Sequence, residues 1–299
     1  MKKVLVIAGL TASGKTTLSI DLAHQFKGEI INGDSQQVYR NLNIGTAKIK
    51  EDEKEGITHH LLDILDYSEP FHVKAFQSLC RPKIDEITKR NHLPILVGGT
   101  GLYLKAALYD YEFSDEEKLD ERFESMETAD LIQELLKVDP KSFETIHPNN
   151  RKRIIRALQI AQSGQTKTER IEAQDHKELY DVFWLVLAPD KKIIDERIEK
   201  RVEKMFEEGL QKEVLNYFSS KEARAYQSFQ AIGYKEWASY FDGNTNLDTI
   251  KEKIVVHTRQ FAKRQKTWFK HQITAHFVDS LNEKEIIQAT NLIKEWLDQ

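Results

Sequence analysis

Four short stretches, residues 4–8, 29–32, 94–97 and 183–187, are largely apolar and dense in Val, Ile and Leu, without polar alternation. Runs of that length predict strands buried on both faces, as in a parallel sheet, because a strand with one wet face would alternate. Between them the apolar positions fall at helical spacing. Leu18, Leu22 and Phe26 do so directly after the first run, which predicts a strand, a glycine-containing turn and a helix in succession. Residues 111–174 carry helical periodicity and charge but no convincing strand, so they read as a helical insertion. Within it, Ile154, Leu158 and Ala161 mark a helix that Gly164 should stop. The tail after Asp242 is expected to be helical to its end. The expected fold class is α/β, a parallel sheet flanked by helices with a smaller helical insertion domain. Residues 1–110 and 175–299 form the main body, and 111–174 the insertion.

Composition changes this picture little. The 299 residues are 40% hydrophobic and 31% charged, as in ordinary globular proteins, which excludes a disordered or fibrous chain. No run approaches the roughly 18 apolar residues of a membrane helix, and the first residues lead into a strand rather than a secretory signal, so a cytoplasmic location without membrane attachment is expected. Cys80 is the one cysteine; it cannot form an internal disulfide and is expected to be inert. His59 and His60 have no third metal ligand at suitable spacing. The net charge is −4, but the signs are segregated: residues 112–144 are acidic, whereas 151–156 and 259–270 are basic. A basic face on an acidic protein suits a locally held anionic partner.

Candidate chemistry begins after the first strand. Gly9, Leu10, Thr11, Ala12, Ser13, Gly14, Lys15 and Thr16 match the P-loop pattern in full, between a strand and a helix. Glycines let the backbone wrap an anion, amides at the helix N-terminus point at its oxygens, Lys15 adds a compact positive charge, and the Thr16 hydroxyl can ligate Mg²⁺. The sheet is thus P-loop NTPase-like. The motif does not say which phosphate ester is held. A P-loop nucleotidase carries a metal-holding Asp at the end of a later strand, yet here residues 93–97 run into Gly98, Gly99, Thr100 and Gly101.

The well-placed carboxylate is Asp34, behind the second strand and expected at the same sheet edge as the P-loop. It could accept a proton from an attacking amine while Gln36 and Gln37 read the edge of a base. The bland alternative is an Asp capping a helix among polar loop neighbours.

Taken together, these blocks carry a resemblance. A P-loop followed by residues 34–39 (DSQQVY), 45–48 (GTAK) and 98–103 (GGTGLY), then 147–150 (HPNN), 230–236 (QAIGYKE) and 258–268 with Lys263, Arg264, Gln265 and Trp268, is similar in order to the bacterial tRNA dimethylallyltransferase family. The match spans nearly the whole chain. The resemblance implies transfer of a dimethylallyl group from dimethylallyl diphosphate to N6 of adenosine 37, 3′ of the anticodon in tRNA, with loss of diphosphate and no use of ATP. It implies Asp34 as general base, Thr100 as a holder of the target adenine, and Lys15 as a catalytic charge at the diphosphate. Asp34, Ser35, Gln36, Gln37, Thr100, Arg122, Leu158, Gln159, Ile160, Ala161 and Gln162 would contact the anticodon arm. The chain would act as a monomer with Mg²⁺. Leu10 departs from the Pro that most relatives carry, with the loop amides expected to remain available. The segment over residues 113–131 is shorter than in the family, and the chain lacks the cysteine and histidine finger of the longer eukaryotic form.

Two other features bear on RNA. Arg259, Lys263, Lys266 and Lys270 recur at helical spacing as one basic face, while Ile254, Phe261 and Trp268 mark an apolar one. Tyr226, Phe229, Tyr234, Trp237 and Tyr240 resemble a stacking platform, but at such density read as core. The rival functions are a small-molecule or nucleoside kinase with Arg197 and Arg201 as its lid, a prenyltransferase acting on a free adenine nucleotide, and a non-catalytic nucleotide-dependent switch.

Overall fold

In the computed structural model, which describes residues 1–113, 122–174 and 176–299, each of the four apolar runs forms a strand. The chain divides into two compact units, residues 1–108 with 178–299, and residues 109–177. The first unit begins with β1 (Lys3–Gly9), α1 (Lys15–Gln25), β2 (Gly28–Asn32), β3 (His59–His60), α2 (Val73–Lys89), β4 (Leu93–Gly98) and α3 (Gly101–Leu108). The second unit holds α4 (Arg122–Ser125), α5 (Thr128–Val138), α6 (Pro140–Thr145), α7 (Arg151–Gln162) and α8 (Lys167–Glu172). The first then resumes with β5 (Asp181–Leu187), α9 (Lys191–Glu207), α10 (Leu210–Phe218), α11 (Ala238–Phe241), α12 (Leu247–Gln272), β6 (His276–Val278) and α13 (Glu283–Asp298).

Six strands in the order β3-β2-β4-β1-β5-β6 make one sheet, and every pairing is parallel. Two short strands escaped the hydrophobic pattern. His59 and His60 pair only because β2 offers an edge, and His276–Val278 because β5 does; the latter interrupts the tail that was expected to be helical throughout. The register explains where loops meet. Ala8 lies opposite Gly98 and Asn32 opposite Val97, so the P-loop after β1, Asp34 after β2 and Thr100 after β4 emerge at one sheet edge, the usual place for a ligand in an open parallel sheet.

Burial follows from that order. Val4 to Ala8 are wholly buried at the centre of the sheet, and Leu18, Leu22, Ala289 and Ile293 from α1 and α13 share one core cluster with Leu5 and Ile7. Phe229, Tyr234 and Trp237 are buried, so the aromatic-rich segment is core and not a stacking platform. Cys80 is fully buried, and burial pushes its thiol up from the ordinary value, which keeps it unreactive. His60 places Nε2 2.7 Å from the buried Glu29 carboxylate, which also accepts from Arg90 and faces His92. Among the described residues no helix is long and apolar enough to cross a membrane.

The regular elements described in the second unit are helices. Phe123, Leu131, Leu135, Ile146, Ile154, Ile155 and Leu158 make its own apolar core. Asn150 caps α7 by accepting from the Arg153 amide, and Gly164 at φ +94° follows its end, as a left-handed C-terminal stop should. Residues 114–121, within the segment expected to be shortened, lie outside the described residues.

Candidate active site

The P-loop wraps inward on itself. The Lys15 ammonium donates to the Leu10 carbonyl at 2.6 Å and to that of Gly9 at 3.2 Å. Burial and the nearby Arg201 guanidinium push it down to about 8, against the pull of Asp34; Lys15 and Asp34 line the same cavity. The amides divide into two groups. Those of Leu10, Thr11 and Ser13 bond to Leu187 O, Gln265 Oε1 and Leu10 O. Those of Ala12, Gly14, Lys15 and Thr16 carry no such bond among the described residues, and they surround the N-terminus of α1, where backbone donors and the helix dipole favour an anion. The anion cradle is therefore narrower than the eight-residue motif implied. Leu10 contributes a carbonyl to Lys15 and a buried side chain, and its amide extends the β1–β5 ladder instead of facing a ligand.

Asp34 sits where the register puts it. Its own amide bonds to Asn32 Oδ1, and its Oδ1 accepts from the Gln36 amide at 2.8 Å. No helix starts there, so the capping alternative gives way to a local turn that fixes the carboxylate. The two glutamines differ. Gln37 Nε2 donates to the carbonyls of Thr46 and Ala47, both at 3.2 Å, and so holds the 46–47 loop rather than presenting a reader. Gln36 Oε1 is buried with no partner, an acceptor left for a ligand to satisfy. Thr100 directly precedes α3 and accepts on its carbonyl from Tyr103 and Leu104.

Two cavities share Thr11, Asp34, Arg201 and Phe261. One is lined by residues 11–17 with Arg197 and Gln265, and is basic and donor-rich. The other, of about 350 Å³, combines Asp34, Ser35, Gln36 and Thr100 with an apolar wall of Ile198, Val202, Met205, Ile232 and Ile254. An anion grip thus opens beside a half-apolar, half-polar pocket, with a carboxylate at the junction.

Sequence reading gave Arg197 and Arg201 only to a kinase lid. One turn apart on α9, they reach the P-loop: Arg197 Nη1 lies 3.4 Å from Ala12 O, and Arg201 Nη1 3.4 Å from Thr11 Oγ1. Burial lowers the Arg201 guanidinium and Asp34 raises it. The signal was available, since Ile194, Ile198 and Val202 mark the buried stripe that positions 197 and 201 flank. Glu213 was missed altogether. It accepts from the amides of Asn43, Ile44 and Gly45 and from the Tyr234 hydroxyl, all within 2.9 Å, and so fixes the loop that lines the half-apolar pocket.

Of the residues carried over to RNA, 34–37 and Thr100 lie in the first unit, whereas Arg122 and residues 158–162 fall in the second. Arg122 is exposed on α4, its guanidinium 4.9 Å from the Phe123 ring. Leu158 and Gln159 are buried, Ile160 and Ala161 half-buried and Gln162 exposed, so within that stretch the helix turns only part of its surface outward. Arg151 is occupied with Thr128 Oγ1 and the carbonyls of Phe123 and Glu124. On α12, Lys263, Lys266 and Lys270 are exposed, whereas Arg259 is paired with Glu199 and Asp195.

A family profile described as IPP transferase matches residues 37–272. The chain is 44% identical over 301 residues to the tRNA dimethylallyltransferase of Anoxybacillus flavithermus, covering 99% of this chain and 96% of that one. It is equally 44% identical to the enzyme of that name from Bacillus subtilis, with 95% of each covered. Among solved structures, the full-length tRNA isopentenylpyrophosphate transferase of Bacillus halodurans superposes with a TM-score of 0.76 at 39% identity, over 100% of this chain and 97% of that one. A eukaryotic dimethylallyltransferase acting on tRNA does so with a TM-score of 0.83 at 32% identity, over 98% and 78%. The chain belongs to the IPP transferase family, that of the tRNA dimethylallyltransferases.

Proposed function

We propose that this chain transfers the dimethylallyl group of dimethylallyl diphosphate to N6 of adenosine 37 in tRNA, releasing diphosphate. The observation that carries the reading is the pair of cavities meeting at Asp34, one built for an anion and the other for an apolar group and a base edge. The diphosphate lies on the amides of Ala12 and of residues 14–16, with Lys15, Arg197 and Arg201 meeting its charge. The allylic carbon then points toward Asp34. The N6 lone pair forms the new C–N bond as the C–O bond breaks, its electron pair leaves on diphosphate, and Asp34 takes the amine proton. Thr100 and the unpartnered Gln36 Oε1 hold the base.

Thr16, exposed at the start of α1 and lining the anion cavity, offers one hard oxygen. Mg²⁺ held largely by water and phosphate oxygens asks for little more from a protein. When bound there it would neutralise charge on the departing diphosphate.

The target base must leave its stack to enter such a pocket, and a loop base does so cheaply. Arg122, Gln162 and the half-exposed Ile160 and Ala161 are assigned to the anticodon arm, with Leu158 and Gln159 supporting them from within. The chain works as a monomer.

The test is transfer of radiolabel from dimethylallyl diphosphate, with Mg²⁺ and without ATP, to unmodified tRNA carrying adenosine 3′ of the anticodon, with AMP as competing acceptor. Label in tRNA alone is expected. Label in AMP would move the chain to nucleotide prenylation, and ATP turnover without label would sink the transferase reading.

A further inference from the structure

Helix α12 carries Gln265 into the gap between the two loops that this reaction needs held together. Its side chain is 5% exposed and its amide is used at both ends. Oε1 accepts from the Thr11 N–H at 2.8 Å, and Nε2 donates to the Gly99 carbonyl at 3.0 Å. Thr11 belongs to the anion loop; Gly99 immediately precedes Thr100. The approach depends on the absence of a side chain at 99, where a Cβ would lie 2.2 Å from Gln265 Nε2. One turn along α12, Trp268 covers Gly101 in the same manner, and a Cβ there would lie 2.1 Å from its ring.

The β1–β4 ladder ends at Ala8 and Gly98. Beyond it, the spacing of the two loops is set by whatever bridges them. Gln265 suits that task because one neutral group both accepts and donates; Met would serve neither end, and an ionised carboxylate would meet the Gly99 carbonyl with the wrong charge. We propose that Gln265 is a positioning residue which, through Thr11 and Gly99, fixes the distance between the donor grip and the acceptor loop. The inference rests on the transfer reading above. Each substrate keeps its own contacts when the tie is lost, so ground-state binding should survive while alignment suffers. A misplacement on the order of 1 Å costs roughly 100-fold in a reaction between two held partners.

Two variants test it in the full chain. Gln265→Met keeps the volume and removes both bonds. Its kcat should fall by roughly 10- to 100-fold, with KM for dimethylallyl diphosphate and for tRNA within about threefold of wild type. Amide hydrogen exchange should show residues 10–13 and 98–101 losing protection together. Gln265→Glu keeps the acceptor for Thr11 but donates to Gly99 only when protonated, so its kcat relative to wild type should climb as pH falls. Lys15, Asp34, Arg197 and Arg201 share the cavity in both proteins, which is why the ratio is the quantity read. An unchanged kcat in Gln265→Met, a loss expressed wholly in KM, a flat Gln265→Glu ratio, or unaltered exchange in the two loops would each overturn the assignment. Exchange reads the tie without any transfer assay. A wild-type protein that transfers no label would therefore refute the transfer reading, while the exchange result still decides the tie.

Discussion

Asp34 keeps Oδ1 on the Gln36 amide, while Oδ2 has no hydrogen-bond partner among the described residues and the carboxylate lines both cavities. Asp34→Asn would preserve the turn and remove the proton acceptor. Turnover should fall about 10²- to 10⁴-fold, with inorganic diphosphate binding nearly unchanged; label-transfer rates beside a binding titration check this, and near-normal turnover would remove Asp34 from the role. Lys15 yields a pH dependence. With its free-state value down at about 8, a bound diphosphate pulls it upward, so binding above pH 8 must take up a proton. The part of the diphosphate affinity that Lys15 supplies should decline as pH rises through 8. Calorimetry near pH 8.5 in buffers of different ionisation enthalpy would register that uptake as the difference between wild type and Lys15→Met, and equal proton uptake by the two would mean that the ammonium does not meet the anion.

At the scale of elements, α10 supports the half-apolar pocket through the Glu213 side chain. Burial and the Glu213 charge raise the Tyr234 phenol well above its ordinary value, so the hydroxyl stays a donor to the carboxylate. Glu213→Ala would strip the acceptor from three backbone amides and that phenol. Each orphaned group costs about 1 to 3 kcal/mol, so a loss of at least about 2 kcal/mol is expected in urea unfolding. Stability within 0.5 kcal/mol of wild type, about the scatter of ordinary surface changes, would contradict the network. For α12, sequence spacing grouped four basic residues, but Arg259 is neutralised on its neighbours. Reversing Lys263, Lys266 and Lys270 together to Glu should weaken tRNA binding and flatten its salt dependence by about 0.7 to 0.9 per lost phosphate contact. An unchanged slope would make this face a solvated surface.

For the molecule as a whole, the second unit holds a core of its own. Leu158→Ala there should cost about 2 to 5 kcal/mol by leaving a cavity. Scanning calorimetry should show an earlier transition for that unit, with diphosphate binding by the first unit retained. A single unshifted transition would argue against the core described.

The sequence alone determined the parallel α/β fold, the P-loop, the place of Asp34 at the P-loop's sheet edge, and the helical character of the insertion. Each of these is local or periodic: a buried parallel strand must be apolar throughout, and a helix must repeat its apolar positions every three to four residues. Only the tertiary structure decided the rest. His59–His60 and His276–Val278 are strands because a neighbour offers an edge, not because of their own pattern. Thr11 lost its amide to Gln265, 254 residues away, and Gln37 lost its amide to the 46–47 loop. Arg201 joined the anion loop and Arg259 left the basic face through contacts across the fold. A side chain's donors and acceptors are shared out among whatever the fold brings within about 3 Å, and no spacing along the chain records that division.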